Sequence, residues 1–273
     1  MRRGGPQSLY DGDGALRKPV RDRLSRARAL AVYLDYDGTL TPIRSNPEEA
    51  TLSNRAVQIL HALLAHPHLT LAIVTGRSLQ QIRAFLRKVH PVIIANHGLE
   101  ISRSGTTWIH PAANAAVPLM RTVRRELIMA LNGIPGVVVE NKNVIAAVHY
   151  RNVPATMIRR VKSIARRTAA SHAPHIRVSG GKKVLELRPA VRWTKASGIR
   201  RLAILQRVAR GLPIYIGDDV TDEDAFRSLR RRGITIRVGT KRDTAAEYYV
   251  PDVRTVLQFL QDVSKNFRTT ISS

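Results

Sequence analysis

A chain of 273 residues, 44% of them hydrophobic, is long enough for one large domain or two modest ones, each with its own core. It holds no cysteine, which excludes disulfides, thiolate metal sites and thiol nucleophiles, and its apolar runs, such as residues 137–139 and 144–148, are far short of a membrane span. Its 45 Lys+Arg against 20 Asp+Glu give a formal net charge of +25, which puts a polyanionic partner on the table.

Residues 1–23 are basic, punctuated by Gly and Pro, and poor in residues that could drive burial, so they are expected to be a flexible leader. They contain no apolar core of signal-peptide type, and the cytoplasm is the expected location. The apolar run 30–34 is too short for a helix and ends abruptly in Asp35-Tyr36-Asp37-Gly38, which reads as a buried strand entering a tight turn. Ser53 is a candidate N-cap for a helix over 54–65 whose apolar face is Val57, Leu60, Leu63 and Leu64. A second strand, 69–74, runs into Thr75-Gly76-Arg77-Ser78, and Ser78 opens a helix to about Val89. A third, 92–95, runs into Asn96-His97-Gly98-Leu99-Glu100. Residues 101–110 read as a hairpin turning at Ser104-Gly105, with Trp108 on the return.

The pattern then changes. A helix (113–131), a strand (137–140), a turn (141–143), a strand (144–151), a helix (154–171) and two strands (175–179 and 183–188) make an α-β-β-α-β-β unit with its helices on one face. Inserted into a doubly wound domain, such a unit would be a lid whose candidate contacts are Glu140, Lys142, Arg151 and Glu186. Trp193-Thr194-Lys195-Ala196 opens a helix to about Val208, and 212–217 is a buried strand ending in Asp218-Asp219-Val220-Thr221-Asp222-Glu223-Asp224. The last strand is expected at 234–238 and a closing helix at 256–267.

Asp35 and Asp37 at a strand's carboxyl end face the ligand crevice of an open α/β sheet. A carboxylate there can attack phosphorus to give an aspartyl-phosphate if a hard divalent ion neutralises the charge between nucleophile and phosphate. Asp35 would attack and Asp37 would protonate the leaving oxygen. The competing reading is an ordinary Asp-Gly turn, of which Asp11-Gly12-Asp13-Gly14 is an example with no strand before it. The Thr75 hydroxyl and Gly76 backbone could bind a phosphate oxygen, and Lys195 could clamp the phosphate and pair with Asp35. The acids at 218–224 repel one another and want a cation. An EF-hand is rejected because its glycine and twelfth-position glutamate are missing, so a magnesium site shared with Asp35 is the reading kept.

In that order, Asp35-Tyr-Asp-Gly-Thr-Leu-Thr-Pro, Val74-Thr-Gly-Arg-Ser, Lys195 and Gly217-Asp-Asp-Val-Thr-Asp-Glu-Asp-Ala-Phe resemble the four motifs of the haloacid dehalogenase superfamily of phosphatases. With Asn96-His-Gly-Leu-Glu, Val148-His-Tyr-Arg and Lys183-Val-Leu-Glu-Leu-Arg-Pro between them, the chain is similar, over about residues 29–259, to the trehalose-6-phosphate phosphatase family. The resemblance implies a Rossmann-like α/β core with a parallel sheet (24–110 and 189–273) and an inserted α+β cap (111–188). It implies Mg²⁺ held by Asp35, the backbone carbonyl of Asp37 and Asp218, supported by Asp219 and Asp222. Thr75, Gly76 and Lys195 would bind phosphate. Glu140, Lys142, Arg151 and Glu186 of the cap, with Asn96, His97 and Glu100 of the core, would read a disaccharide. Thr75 stands where the family more often has Ser, and the third motif has Trp-Thr-Lys-Ala in place of the usual Lys-Gly.

The substrate implied is trehalose 6-phosphate, in the last step of trehalose biosynthesis. Another capped sugar-phosphate phosphatase, of the sucrose phosphate or glycosyl-phosphoglycerate type, stays open. So does a basic nucleic-acid-binding protein on the same fold. The cations come as dispersed pairs such as Arg159-Arg160 and Arg166-Arg167, and aromatics are only 5% and not interleaved with them, so nucleic acid is the less favoured partner. The expected state is a monomer.

Overall fold

The structure, a computed structural model, describes residues 5–44, 46–181, 183–206, 211–240 and 243–267. In chain order the elements are β1 (Gln7–Ser8), α1 (Lys18–Arg26), β2 (Leu30–Leu34), α2 (Asn54–Leu64), β3 (Leu69–Val74), α3 (Leu79–Phe85), β4 (Val92–Ala95), β5 (Glu100–Arg103), β6 (Thr106–Ile109), α4 (Pro111–Ala115), α5 (Val117–Ala130), β7 (Val138–Asn141), β8 (Ala146–His149), α6 (Ala155–Ser171), β9 (Ile176–Gly181), β10 (Val184–Pro189), α7 (Lys195–Gln206), β11 (Leu212–Gly217), α8 (Glu223–Leu229), β12 (Ile234–Val238), β13 (Tyr248–Val250) and α9 (Val253–Asn266). They fall into two compact units, one of residues 1–76, 81–107 and 193–273, the other of 77–80 and 108–192.

The first unit carries a sheet of order β1-β13-β12-β11-β2-β3-β4-β5-β6 among the described residues. Strands β2, β3, β4, β11, β12, β13 and β1 pair in parallel, and β5 runs antiparallel to β4. The central strands read as near-continuous apolar runs because a parallel sheet is covered on both faces; β12, Ile-Thr-Ile-Arg-Val, is buried throughout. From β2 the chain steps to β3 through α2, and from β11 it steps the opposite way to β12 through α8. Right-handed crossovers therefore place α2 and α8 on opposite faces, and the order reverses between β2 and β11. That reversal is the switch point at whose carboxyl edge open α/β sheets hold their ligands.

Several expectations need correcting. The leader is integrated from residue 7: Gln7 and Ser8 pair with Tyr248 and Tyr249, Leu9, Val20 and Leu24 are buried, and the Tyr10 hydroxyl donates to Asp262 Oδ2 at 2.7 Å. Few apolar residues suffice there because they are spaced to meet α9 and the sheet edge. Strands β1 and β13 were not expected; each is too short to show a periodicity of its own. On α2, Ser53 caps as expected, accepting from Ala56 N, but the buried face is Ala56, Ile59, Leu60 and Leu63. The helix after Ser78 ends at Phe85, and α9 starts at Val253, where Asp252 caps Thr255 N. The end of the helix expected to reach Val208 lies outside the described residues.

In the second unit the sheet order is β7-β8-β10-β9, all antiparallel. The single helix expected over 113–131 is two, α4 and α5, meeting at Ala116 ahead of Pro118, where proline has no N–H to continue the ladder. Its core is built from Met120, Val123 and Leu127 of α5, Val161, Ile164 and Ala165 of α6, and Ala146, Val148, Leu185 and Leu187 of the strands. Strand alternation then puts Glu140, Ala147, Glu186 and Ser179, which are cross-strand partners in one row, on the face away from these helices. Arg159, Arg160, Arg166 and Arg167 lie at exposed positions of α6, as solvated cations on a helix's outer side.

Candidate active site

The acidic site grows from the carboxyl ends of β2 and β11. Asp35 directly follows β2, its N–H donating to Ile216 O at 2.9 Å, and its side chain is buried. After it the chain turns tightly: Leu40 N and Thr41 N donate to Tyr36 O, and Gly38 N to Thr41 O at 2.8 Å. Gly38 has φ +78°, and a Cβ on it would sit 2.1 Å from Asp218 Oδ2. The turn thus needs glycine twice over, for its left-handed backbone and for the carboxylate pressed against it.

Lys195, at the start of α7 and 3% exposed, bridges the site. Its Nζ donates to Asp35 Oδ1 at 2.9 Å and to Asp222 Oδ1 at 2.7 Å. Asp222 is fully buried; its Oδ1 also accepts from the Tyr215 hydroxyl at 2.6 Å and its Oδ2 from Asp219 N at 2.9 Å. The approach of Asp222 is possible because Gly217 has no Cβ, which would lie 2.4 Å from the Asp222 carboxyl carbon. Helix α7 is seated by another glycine pair: a Cβ on Gly198 would lie 2.7 Å from Gly98 Cα, and Trp193 Nε1 donates to Gly98 O at 2.7 Å.

Asp35, Asp218 and Asp222 bring carboxylate oxygens within 4.8 Å of one another, a group that could hold a metal ion. The electrostatics agree with that need. Burial pushes the Asp35 carboxyl well above the usual range, Lys195 pulls it back, and Asp222 and Asp218 push it up again. Burial, then Asp222 and Asp219, raise Asp218 to about 6. Burial lowers Lys195, but Asp222 and Asp35 outweigh it and hold the ammonium above its ordinary value. One lysine among these carboxylates leaves net negative charge, and oxygen donors of this kind suit a hard divalent cation. Asp222 already accepts three hydrogen bonds, so Asp35 and Asp218 are the carboxylates fitted to ligate, with Asp222 orienting Lys195.

Thr75 is buried at the end of β3, the strand beside β2, with its N–H on Ile94 O at 2.8 Å and its carbonyl accepting from His97 N at 3.0 Å. The His97 ring packs over Gly76, where a Cβ would come within 2.5 Å of it. Asn96 and His97 both have left-handed backbones, φ 48° and 57°, unusual for such residues and held by the Thr75 and Glu100 contacts; Asn96 Nδ2 donates to Glu100 Oε2. Asp37 is half-buried beside Gly38 and Asp219 is exposed.

The remaining candidates lie in the second unit. Lys142 Nζ and Glu186 Oε1 form a buried ion pair at 2.7 Å, Glu140 Oε2 meets His149 Nε2 at 2.7 Å, and Arg151 is exposed just after β8. The sequence reading missed Tyr215 and His149 as partners of these groups; a tyrosine inside the otherwise aliphatic strand Leu-Pro-Ile-Tyr-Ile-Gly was the available signal.

Residues 33–254 match the family model described as Trehalose-phosphatase. The trehalose-phosphate phosphatase of Mycobacterium marinum (strain ATCC BAA-535 / M) is 34% identical over 269 residues, 96% of this chain and 67% of its own length. A Mycobacterium tuberculosis (strain ATCC 25618 / H37Rv) protein named as an uncharacterized glycosyl hydrolase is 36% identical over 262 residues, but these are 91% of this chain and only 19% of that protein. The chain thus spans about a fifth of the length of the first curated relatives it matches. Among solved structures, a trehalose-6-phosphate phosphatase related protein superposes with a TM-score of 0.76 at 27% identity, covering 86% of this chain and 97% of that one. The C-terminal domain of the Candida albicans trehalose-6-phosphate phosphatase shares the fold, with a TM-score of 0.78 at 22% identity over 96% of this chain and 99% of that one. A family model matched across most of the sequence, together with these relatives, shows that this chain belongs to the trehalose-phosphatase family, on the haloacid dehalogenase fold.

Proposed function

We propose that this chain is a Mg²⁺-dependent phosphatase that hydrolyses trehalose 6-phosphate to trehalose and inorganic phosphate. The observation that carries the chemistry is the buried Asp35 carboxylate at the sheet's switch point, ion-paired to Lys195 and within 4.8 Å of the Asp218 and Asp222 carboxylate oxygens. Family membership carries the substrate.

Asp35 attacks the phosphorus while Asp37 gives a proton to the sugar oxygen, so that the P–O bond to the sugar breaks as the Asp35–P bond forms. Asp37 then takes a proton from water, which attacks the aspartyl-phosphate and releases phosphate and the free Asp35 carboxylate. Lys195, the Thr75 hydroxyl and the Gly76 backbone bind the phosphoryl oxygens. Asp35, Asp218 and the Asp37 carbonyl would hold Mg²⁺, which supplies charge neutralisation between the nucleophile and the phosphate. Asp219 and Asp222 support that set. Recognition of the sugar is assigned to Glu140, Lys142, Arg151 and Glu186, with Asn96, His97 and Glu100. Their polar side chains suit hydroxyl groups, and the buried Lys142–Glu186 pair is an expensive arrangement for a purely structural contact.

Phosphate release from trehalose 6-phosphate, sucrose 6-phosphate and glucose 6-phosphate, with and without Mg²⁺, tests the proposal. Metal-dependent release from the trehalose ester above the others is expected; release from another ester alone would move the substrate, and none from any would refute the activity.

A further inference from the structure

Arg237 belongs to none of the motifs that carry the chemistry, yet it is buried in the middle of the sheet. It lies on β12 in register with Gly217, the residue immediately before Asp218. Its Nη2 donates to the Asp218 carbonyl at 2.6 Å, and its Nη1 to Glu223 Oε1 at 3.2 Å. Glu223 is itself fixed: Oε1 accepts from the Thr244 hydroxyl at 2.7 Å and Oε2 from Ala245 N at 2.8 Å. The two side chains are 7% and 13% exposed, so the pair is largely withdrawn from water.

Strand β11 ends at Gly217, and the Asp218 carbonyl has left the parallel ladder. The guanidinium supplies its donor and sets the plane of that peptide, hence the direction in which the Asp218 side chain leaves the backbone. That direction has little tolerance, because the Asp218 carboxylate lies directly over Gly38. We infer that Arg237, oriented by Glu223, is a positioning residue that aims the Asp218 carboxylate for metal binding. A lysine could not do this, since one ammonium lacks the fork that bridges a carbonyl and a carboxylate in fixed geometry. The inference rests on the reading of Asp35 and Asp218 as Mg²⁺ ligands.

Mg²⁺ titration by calorimetry, with no substrate present, tests it on the wild type, Arg237→Lys and Glu223→Gln, with far-UV circular dichroism as the check of folding. Outer partners of metal ligands are typically worth about tenfold or more in affinity, so the Kd of Arg237→Lys should rise by about that factor. Glu223→Gln, which leaves Arg237 in place but loosens its hold, should show a smaller rise and covers the case in which Arg237→Lys does not fold. Wild-type binding matched within about twofold by the folded variants would overturn the positioning role alone. A wild type that does not bind Mg²⁺ would overturn the metal site, and this role with it.

Discussion

Asp222 Oδ1 lies 2.7 Å from Lys195 Nζ and accepts the Tyr215 hydroxyl as well, so the lysine that meets Asp35 is held from behind by a carboxylate with no exposure to solvent. This relay sets both the place and the charge of Lys195. Removing one partner of a buried pair typically destabilises by about 3–5 kcal/mol. Asp222→Asn should therefore lower unfolding stability by about that range in urea and reduce kcat by at least about tenfold. A stable, fully active Asp222→Asn protein would show that Lys195 needs no such support.

The pH dependence follows from Asp218. Its carboxyl is raised in the folded state from 3.8 to about 6, so between those values the folded protein binds more protons than the unfolded chain. Stability of the metal-free protein should fall as pH rises through that window. With Asp218 a Mg²⁺ ligand, as proposed, the ion would have to displace those protons, so its stabilising effect should be small at about pH 5 and full above about pH 7. Melting temperatures with EDTA and with Mg²⁺ across that range check this; a metal effect independent of pH would contradict it.

Gly198→Ala reverses the usual sign of a helical substitution. In an exposed helix interior, alanine gains about 1 kcal/mol over glycine. Here the added Cβ would lie 2.7 Å from both Gly98 Cα and Ile94 Cγ2, forcing α7 and Lys195 away from Asp35. Loss of stability and of activity together is expected, and a stabilised, active variant would show that the helix can shift freely.

Glu186→Ala separates sugar recognition from chemistry. Its buried partner Lys142 would be left without that carboxylate. kcat/KM for trehalose 6-phosphate should fall by about tenfold or more, against a smaller loss for an aryl phosphate that has no sugar to recognise. An equal loss on both substrates would remove Glu186 from specificity.

The acidic site was legible because two local patterns are unambiguous: an apolar run that stops at Asp35, and acids crowded from Asp218 to Asp224 in a basic chain. Sequence spacing could also nominate Lys195. It could not show that Asp222 turns back to hold that lysine, nor that Gly217 makes room for it, since both depend on how β11 hands over to α8. The left-handed backbones of Asn96 and His97 were hidden for the same reason, neither being glycine. In the fold, β1 and β13 escaped because two or three residues carry no periodicity and their pairing is decided by tertiary context. The break between α4 and α5 was visible in Pro118 and was overridden by the apolar spacing on either side. Arg237, a cation inside an apolar strand, was a signal left unread.

The most direct test of the account is phosphate release from trehalose 6-phosphate by Asp35→Asn at saturating Mg²⁺, with the melting temperature followed in the same samples. Loss of the nucleophile should reduce turnover by at least about a thousandfold while the protein remains folded. Turnover within about tenfold of wild type would contradict the assignment of Asp35 as the residue that attacks phosphorus.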